Sequence, residues 1–163
     1  MTKVDDVAAA ILERTGRIST FKLQKLVYYS QAWHLVWDDQ CLFDEEIEAW
    51  ANGPVCRHLY DQHKGRYLVD SWPSGNAKNL SDSEVTTIEA VLGSYNHLDG
   101  RQLSALTHEE RPWVEAREGL QSGDRGVRVI DVDIMADYYL GLASDDSAID
   151  IVELLDAEDS PNS

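Results

Sequence analysis

The sequence predicts a mainly α protein: a single compact helical domain around a central aromatic-rich helix, with one small β element. Three observations carry that expectation. The stretch FKLQKLVYYSQAWHLVW, residues 21–37, is apolar or aromatic around most of its circumference. Helix-starting signals recur at Ser19-Thr20, at Ser81-Asp82-Ser83-Glu84 and at Thr107-His108-Glu109-Glu110, the last two with the spacing of a capping box. A single block near residues 43–54 has strand-like alternation and ends at Gly53-Pro54.

The first element spans residues 4–14. Val4, Val7, Ala8, Ile11 and Leu12 fall on one helical face, and Asp5 and Asp6 sit at the positive end of the helix dipole. Gly16 closes it. In the next helix, Leu23, Leu26, Val27, Ser30, Trp33, His34 and Trp37 form one stripe, read as core. Phe21, Tyr28, Ala32 and Leu35 form a second, nearly opposite. Gln24 and Gln31 leave a narrow polar wedge, with Lys22 and Lys25 as charged shoulders. A helix apolar nearly all round is either wrapped by the rest of its chain or keeps one face for a partner. The wrapped, central position is the expectation.

Phe43, Ile47 and Trp50 anchor the following extended block, and Pro54 is expected at the start of a helix through His63, where its missing N–H costs nothing. Val55, Leu59, Tyr60 and His63 should line that helix's inner side. Residues 65–80 read as a surface excursion because Gly65, Trp72-Pro73, Gly75 and Asn76 are turn signals. A helix follows the Ser81 box to about Tyr95, with Val85, Ile88, Val91 and Leu92 inward. Asp99-Gly100 leads into a short helical piece with Leu103 and Leu106. Pro112 lies too deep for a long helix begun at the Thr107 box, so the turn either restarts at Pro112 or the box is one turn long. PWVEARE is helical. Residues 126–140 supply a brief extended segment and an aspartate-capped helix.

With 163 residues the chain has single-domain length, enough to bury roughly two thirds of its unfolded surface. The apolar run 26–37 is too short to span a bilayer, and the N-terminus lacks the order of a signal peptide. A cytoplasmic protein without membrane contact is expected. Cys41 and Cys56 are fifteen apart and read as reduced thiols.

The formal charge of −16 is unevenly distributed. No Lys or Arg follows Arg128, whereas residues 129–163 contain ten carboxylates; residues 1–128 hold 14 basic and 20 acidic residues, a net −6. Such a field repels phosphates and attracts basic surfaces, so a nucleic acid partner is disfavoured and a basic protein favoured. The chain divides accordingly into a domain over 1–142 and an acidic segment over 143–163. Within the latter, Ile151, Val152 and Leu155 lie on one side of a possible short helix, with Asp150, Glu153 and Asp156 around them. Together with Asp145 and Asp146 these are the candidate partner-binding residues. The polar end beyond Asp156 reads as disordered.

Catalytic patterns are weak. His58 and His63 are five apart, about 140° around a helix, and His108-Glu109-Glu110 has Pro112 where a zincin needs its second histidine. No P-loop, nucleophile elbow or dinucleotide fingerprint is present, and neither cysteine has an activating motif. Adjacent carboxylates such as Glu109 and Glu110 diverge and read as a solvated edge. No cofactor, metal or catalytic residue is assigned. A metal-dependent hydrolase and a DNA-binding regulator are the lesser alternatives; Lys22 and Lys25 are too few donors for base and phosphate contacts.

Three separated blocks, KLQKLVYYSQAWHL, LFDEEIEAWANGPVCRHLY and LSALTHEERPWVEAR, resemble the Panacea domain, the SocA-like antitoxin family of bacterial and phage toxin–antitoxin systems. The positions that match are Leu23, Leu26, Tyr28, Tyr29, Trp33 and His34 in the first block, Ile47, Trp50, Gly53 and Pro54 in the second, and Thr107, His108, Pro112 and Trp113 in the third. The resemblance implies a compact helical, non-enzymatic antitoxin that neutralises a cognate protein toxin by direct contact. A branch of the family instead works as a proteolytic adaptor delivering its toxin to a ClpXP-type protease. The residue reading assigns the matched positions to packing and capping, and the acidic end lies outside the resemblance.

Overall fold

A computed structural model describes residues 2–145. Seven α-helices lie among them: α1 (Val4–Thr15), α2 (Thr20–Asp38), α3 (Arg57–His63), α4 (Asp82–Tyr95), α5 (Gly100–Thr107), α6 (Arg111–Ala116) and α7 (Val132–Ser144). A 3-10 turn covers Ala77–Asn79. The strands are β1 (Ile18–Ser19), β2 (Ile47–Trp50), β3 (Gly53–Cys56) and β4 (Leu68–Val69), and they make two antiparallel pairs, β1 with β4 and β2 with β3. No described helix is long and apolar enough to cross a membrane.

The architecture is a mainly α fold centred on α2, as its two apolar stripes require. Ser19 caps it, its hydroxyl accepting from the Lys22 N–H. Around it pack α1, α4, α5, α7 and β3. Leu23, Leu26, Val27, Tyr28, Tyr29 and Ala32 are all buried, so both faces serve the interior. Trp37 departs from the expected core stripe: it is 49% exposed on the last turn of α2, with its ring stacked on that of half-buried Trp33 at 5.3 Å.

The polar wedge of α2 is buried as well. Gln24 and Gln31, seven residues apart and hence on one side of the helix, act as surrogate backbone. The Gln24 amide oxygen accepts from Cys56 N–H (2.9 Å) while its nitrogen donates to Cys56 C=O (3.1 Å). Gln31 accepts from Leu42 N–H (2.7 Å) and donates to Phe43 C=O (2.9 Å). Each fastens an irregular or edge segment that has no ladder partner there, which is why two amides belong in an apolar helix.

Several boundaries differ from the sequence reading. Pro54 does not open a helix. It lies in β3 opposite Ala49, one step beyond the Trp50–Gly53 pair that closes the two-residue hairpin. That position makes no ladder hydrogen bond, so a residue without an N–H fits. Ala49 N–H turns outward instead to Arg128 C=O at 2.8 Å, and Ile130 N–H donates to Ile47 C=O at 2.8 Å, adding the 128–130 segment to the hairpin edge. The helix begins only at Arg57, and Val55 is buried from the strand.

Residues 65–80 are more than a surface excursion. Trp72 is buried, its indole N–H donating to Asp5 Oδ1 at 2.9 Å, and Asn76 N–H donates to Asp6 Oδ1 at 2.9 Å. The two aspartates thus tie the loop to α1 besides meeting the helix dipole. Gly75 is required at this crossing: a Cβ there would stand 2.0 Å from the Asp5 carbonyl oxygen.

The Ser81 capping box and α4 form as expected, with Ile88 and Val91 buried. An unforeseen box starts α5, where Asp99 accepts from Gln102 N–H and Gln102 accepts from Asp99 N–H. The expected Thr107 box does not form. Thr107 ends α5 with its hydroxyl donating to Ser104 C=O, and α6 restarts beside Pro112. Asp131 caps α7, which continues to Ser144.

Replacing Gln31 with Leu strands the buried Leu42 N–H and Phe43 C=O, at about 1–3 kcal/mol each, and removes a longer contact from Phe43 N–H. Gln31→Leu and Gln24→Leu are expected to lower unfolding free energy by about 3 kcal/mol in urea titrations with an unchanged m-value. Exposed Gln40→Leu should change it by no more than about 0.5 kcal/mol.

Candidate functional site

Two neighbouring structures draw on several of the positions singled out in the sequence: an aromatic–carboxylate network against α2, and a set of clamps on the hairpin, which has a cavity beside it.

The network centres on Glu110, at the N-cap of α6. It is buried, contrary to the solvated edge expected from its neighbour in sequence. Tyr29 donates to Glu110 Oε1 at 2.6 Å and Tyr139 at 2.8 Å; the Tyr28 hydroxyl stands 3.0 Å from that of Tyr139. Tyr29 stacks on Tyr95 at 4.2 Å, and Trp33 donates its indole N–H to the Tyr95 hydroxyl at 2.9 Å. One carboxylate therefore joins α2, α6 and α7, and the tyrosines extend the contact to α4. Burial raises the Glu110 carboxyl to about 7, above its usual 4.5, although the two phenols stabilise the charged form. The same burial and the Glu110 charge push the Tyr28, Tyr29 and Tyr139 phenols well up.

The hairpin is clamped from the other side. Trp113 N–H donates to Trp50 C=O at 2.9 Å, Ser104 hydroxyl donates to Asn52 C=O, and buried Arg117 reaches Ala49 C=O at 3.3 Å. Arg117 also donates to Asp124 C=O at 2.8 Å, fixing the 121–126 loop. His108 stacks on Trp113 with ring centroids 4.1 Å apart, and its buried Nε2 has no hydrogen-bond partner among the described residues. His34 Nδ1 lies 2.8 Å from Thr87 Oγ1, joining α2 to α4. Leu23, Leu26, Ile47, Gly53, Pro54, Thr107 and Pro112 are buried. Packing and hydrogen bonding thus account for the motif positions.

A cavity of about 630 Å³ opens between α2, the hairpin, α3 and residues 123–127. Lys25 forms part of its wall. It is 1% exposed, donates to Pro54 C=O at 3.0 Å and places its ammonium 4.2 Å from the centre of the Phe21 ring. No carboxylate pairs with it among the described residues, and burial lowers its pKa to about 7. Gly53, at φ 121°, leaves the room it needs: a Cβ there would stand 2.7 Å from Lys25 Cε. His63, also on the wall, lies 2.9 Å from the Gln24 amide nitrogen and is shifted down by burial and by Lys25.

Asp5, Glu45 and His58 bring three potential metal-ligand atoms within 4.8 Å of one another. Asp5 already accepts from Trp72 and Gln62 (2.7 Å) and faces His58 Nε2 at 2.7 Å, an arrangement that serves as an α1 anchor. The thiols offer no nucleophile: Cys56 is buried and pushed up to about 11, and Cys41 is also raised. Of the candidate partner-binding residues, Asp145 is the C-cap of α7; Asp146, Asp150, Ile151, Val152, Glu153, Leu155 and Asp156 lie outside the described residues.

Sequence reasoning missed the buried roles of Lys25, read as a charged shoulder of α2, and of Glu110, read as a solvated edge or as part of a cap, and it assigned nothing to Arg117. For Lys25 a signal existed, since it sits beside Gln24 in a helix that is otherwise apolar all round. Nothing local marks Glu110, whose phenol partners are 29 and 81 residues away, or the reach of Arg117 to Ala49, 68 residues away.

The two shifted groups give opposite pH slopes. Glu110, raised in the folded state, contributes stability that is complete below pH 4.5 and lost as pH rises through about 7. Lys25, lowered from 10.5, contributes stability that is complete above that value and lost as pH falls through about 7. The effects are on the order of 3 kcal/mol for Glu110 and about 5 kcal/mol for Lys25. Urea titrations from pH 5 to 9 should show Glu110→Gln flattening the acid limb and Lys25→Met the alkaline limb.

A family model described as antitoxin SocA-like, Panacea domain, matches residues 23–114. No curated protein and no solved structure gives a significant match. The matched span covers more than half of the chain and contains all fourteen motif positions, from Leu23 in α2 to Trp113 in α6, so the chain belongs to the SocA-like Panacea antitoxin family.

Proposed function

We propose that this protein is the antitoxin of a toxin–antitoxin pair and neutralises its cognate toxin by direct, stoichiometric contact. The family match over residues 23–114 carries the reading. Two features support it. Tyr28, Tyr29, Trp33 and Trp113 are taken up by the Glu110 network and the hairpin clamps, which leaves the outer surface of the scaffold free to differ between partners. The charge of −16, with ten carboxylates after Arg128, favours a basic toxin surface.

The contact region we propose is the C-terminal end. Leu140 on α7 is 55% exposed, and the chain beyond Ser144 continues as an acidic sequence interrupted by Ile151, Val152 and Leu155. Apolar side chains set among carboxylates suit a partner groove with a basic rim.

The deciding experiment is co-expression with the reading frame encoded beside it. Growth arrest by that product alone, relief by this chain and co-purification of the two are expected; no relief sinks the antitoxin reading. Deleting residues 146–163 should weaken relief and complex formation, and full relief by the truncated chain removes the tail from the contact. Toxin half-life distinguishes blocking from delivery to a ClpXP-type protease: an unchanged half-life is expected, and a shortened one identifies an adaptor.

A further inference from the structure

On a chain carrying −16, the cavity beside the hairpin is a basic island. Four of the fourteen basic residues, Lys25, Arg57, Lys64 and Arg125, line it, against the one carboxylate of Asp61. Arg57 is committed to Glu48 by paired hydrogen bonds of 2.9 and 3.0 Å, and its guanidinium lies 5.2 Å from the centre of the Trp50 ring. Lys25, Lys64 and Arg125 have no carboxylate partner among the described residues. Phe21, Trp50 and Tyr60 contribute aromatic surface to the same walls. The volume is in the range of small-molecule sites, which combine apolar walls with a few placed polar groups.

Lys25 is the unexpected member. An ammonium fully buried in a core helix is costly unless compensated, and a single carbonyl plus a ring face is incomplete compensation for three N–H donors. A leucine or methionine would pack α2 at lower cost. What an amine adds is charge at the wall of a cavity.

We propose that this cavity binds a small organic anion that joins a phosphate or carboxylate to a flat ring, with Lys25 holding the anionic group and the aromatic walls holding the ring. Arg125 and Lys64, both exposed, supply attraction at the mouth. The proposal does not depend on the toxin reading.

Titration calorimetry on the full chain, with AMP and indole-3-acetate as probes and adenosine and inorganic phosphate as comparators, tests the proposal. At least one organic anion should bind with a Kd below about 1 mM, tenfold or more tighter than adenosine and inorganic phosphate. A phosphate source is identified by AMP, a carboxylate source by indole-3-acetate. Lys25→Met should weaken that binding tenfold or more. Arg125→Ser, at an exposed loop position that leaves the fold intact, should weaken it threefold or more, while Arg101→Ser on exposed α5 surface leaves it unchanged. Absence of binding by both probes overturns the proposal. So does binding that Arg125→Ser leaves unaltered, or that adenosine matches, and the Arg125 arm decides even if Lys25→Met does not fold.

Discussion

A helix buried around most of its circumference must satisfy its inward polar side chains from within the protein, and that constraint on α2 organises the rest of the molecule. Gln24 and Gln31 bond the backbones of β3 and of the 42–43 segment, Lys25 bonds Pro54, His34 meets Thr87, and Tyr29 meets Glu110. Each contact draws a different segment onto α2. Apolar burial supplies most of the favourable free energy, but it is indifferent to register. These polar contacts are directional and costly to break, so they fix which segment lies where.

The same reasoning joins the scaffold to its biology. The family match spans residues 23–114, and within that span Tyr29 and Glu110 enter the buried network while Trp113 clamps the hairpin at Trp50. An antitoxin scaffold built this way can hold its fold while its exterior changes. The sequence is acidic, most strongly after Arg128, and exposed apolar side chains such as Trp37 and Leu140 stand on α2 and α7. Against that background the cationic cavity is a local reversal of sign, and Lys25 links it to the central helix.

Glu110 and Lys25 also make the interior responsive to protons. The carboxyl is raised and the ammonium lowered by the same cause, removal from water, and both come to about 7. The two sites are reached from separate elements, α6 for one and the hairpin for the other. Near neutral pH the fold therefore carries two buried groups that each cost stability in their charged forms.

The sequence by itself determined the elements whose causes are local. The period of α2, the Ser19 and Ser81 caps and the extended block at Ile47–Trp50 follow from neighbours within a few residues, and so did the mainly α class and the central place of α2. Tertiary structure decided whatever depends on partners far along the chain. Pro54 reads locally as a helix start, yet Ala49 and Arg128 make it a strand residue; Thr107 and Glu110 read as a cap, yet Tyr29 and Tyr139 claim the carboxylate. Periodicity places a side chain on a face of its own helix, but it cannot say whether a charge on that face meets water or a phenol from another element. That is why the buried roles of Lys25 and Glu110 were not legible and the cavity had no signature in the sequence.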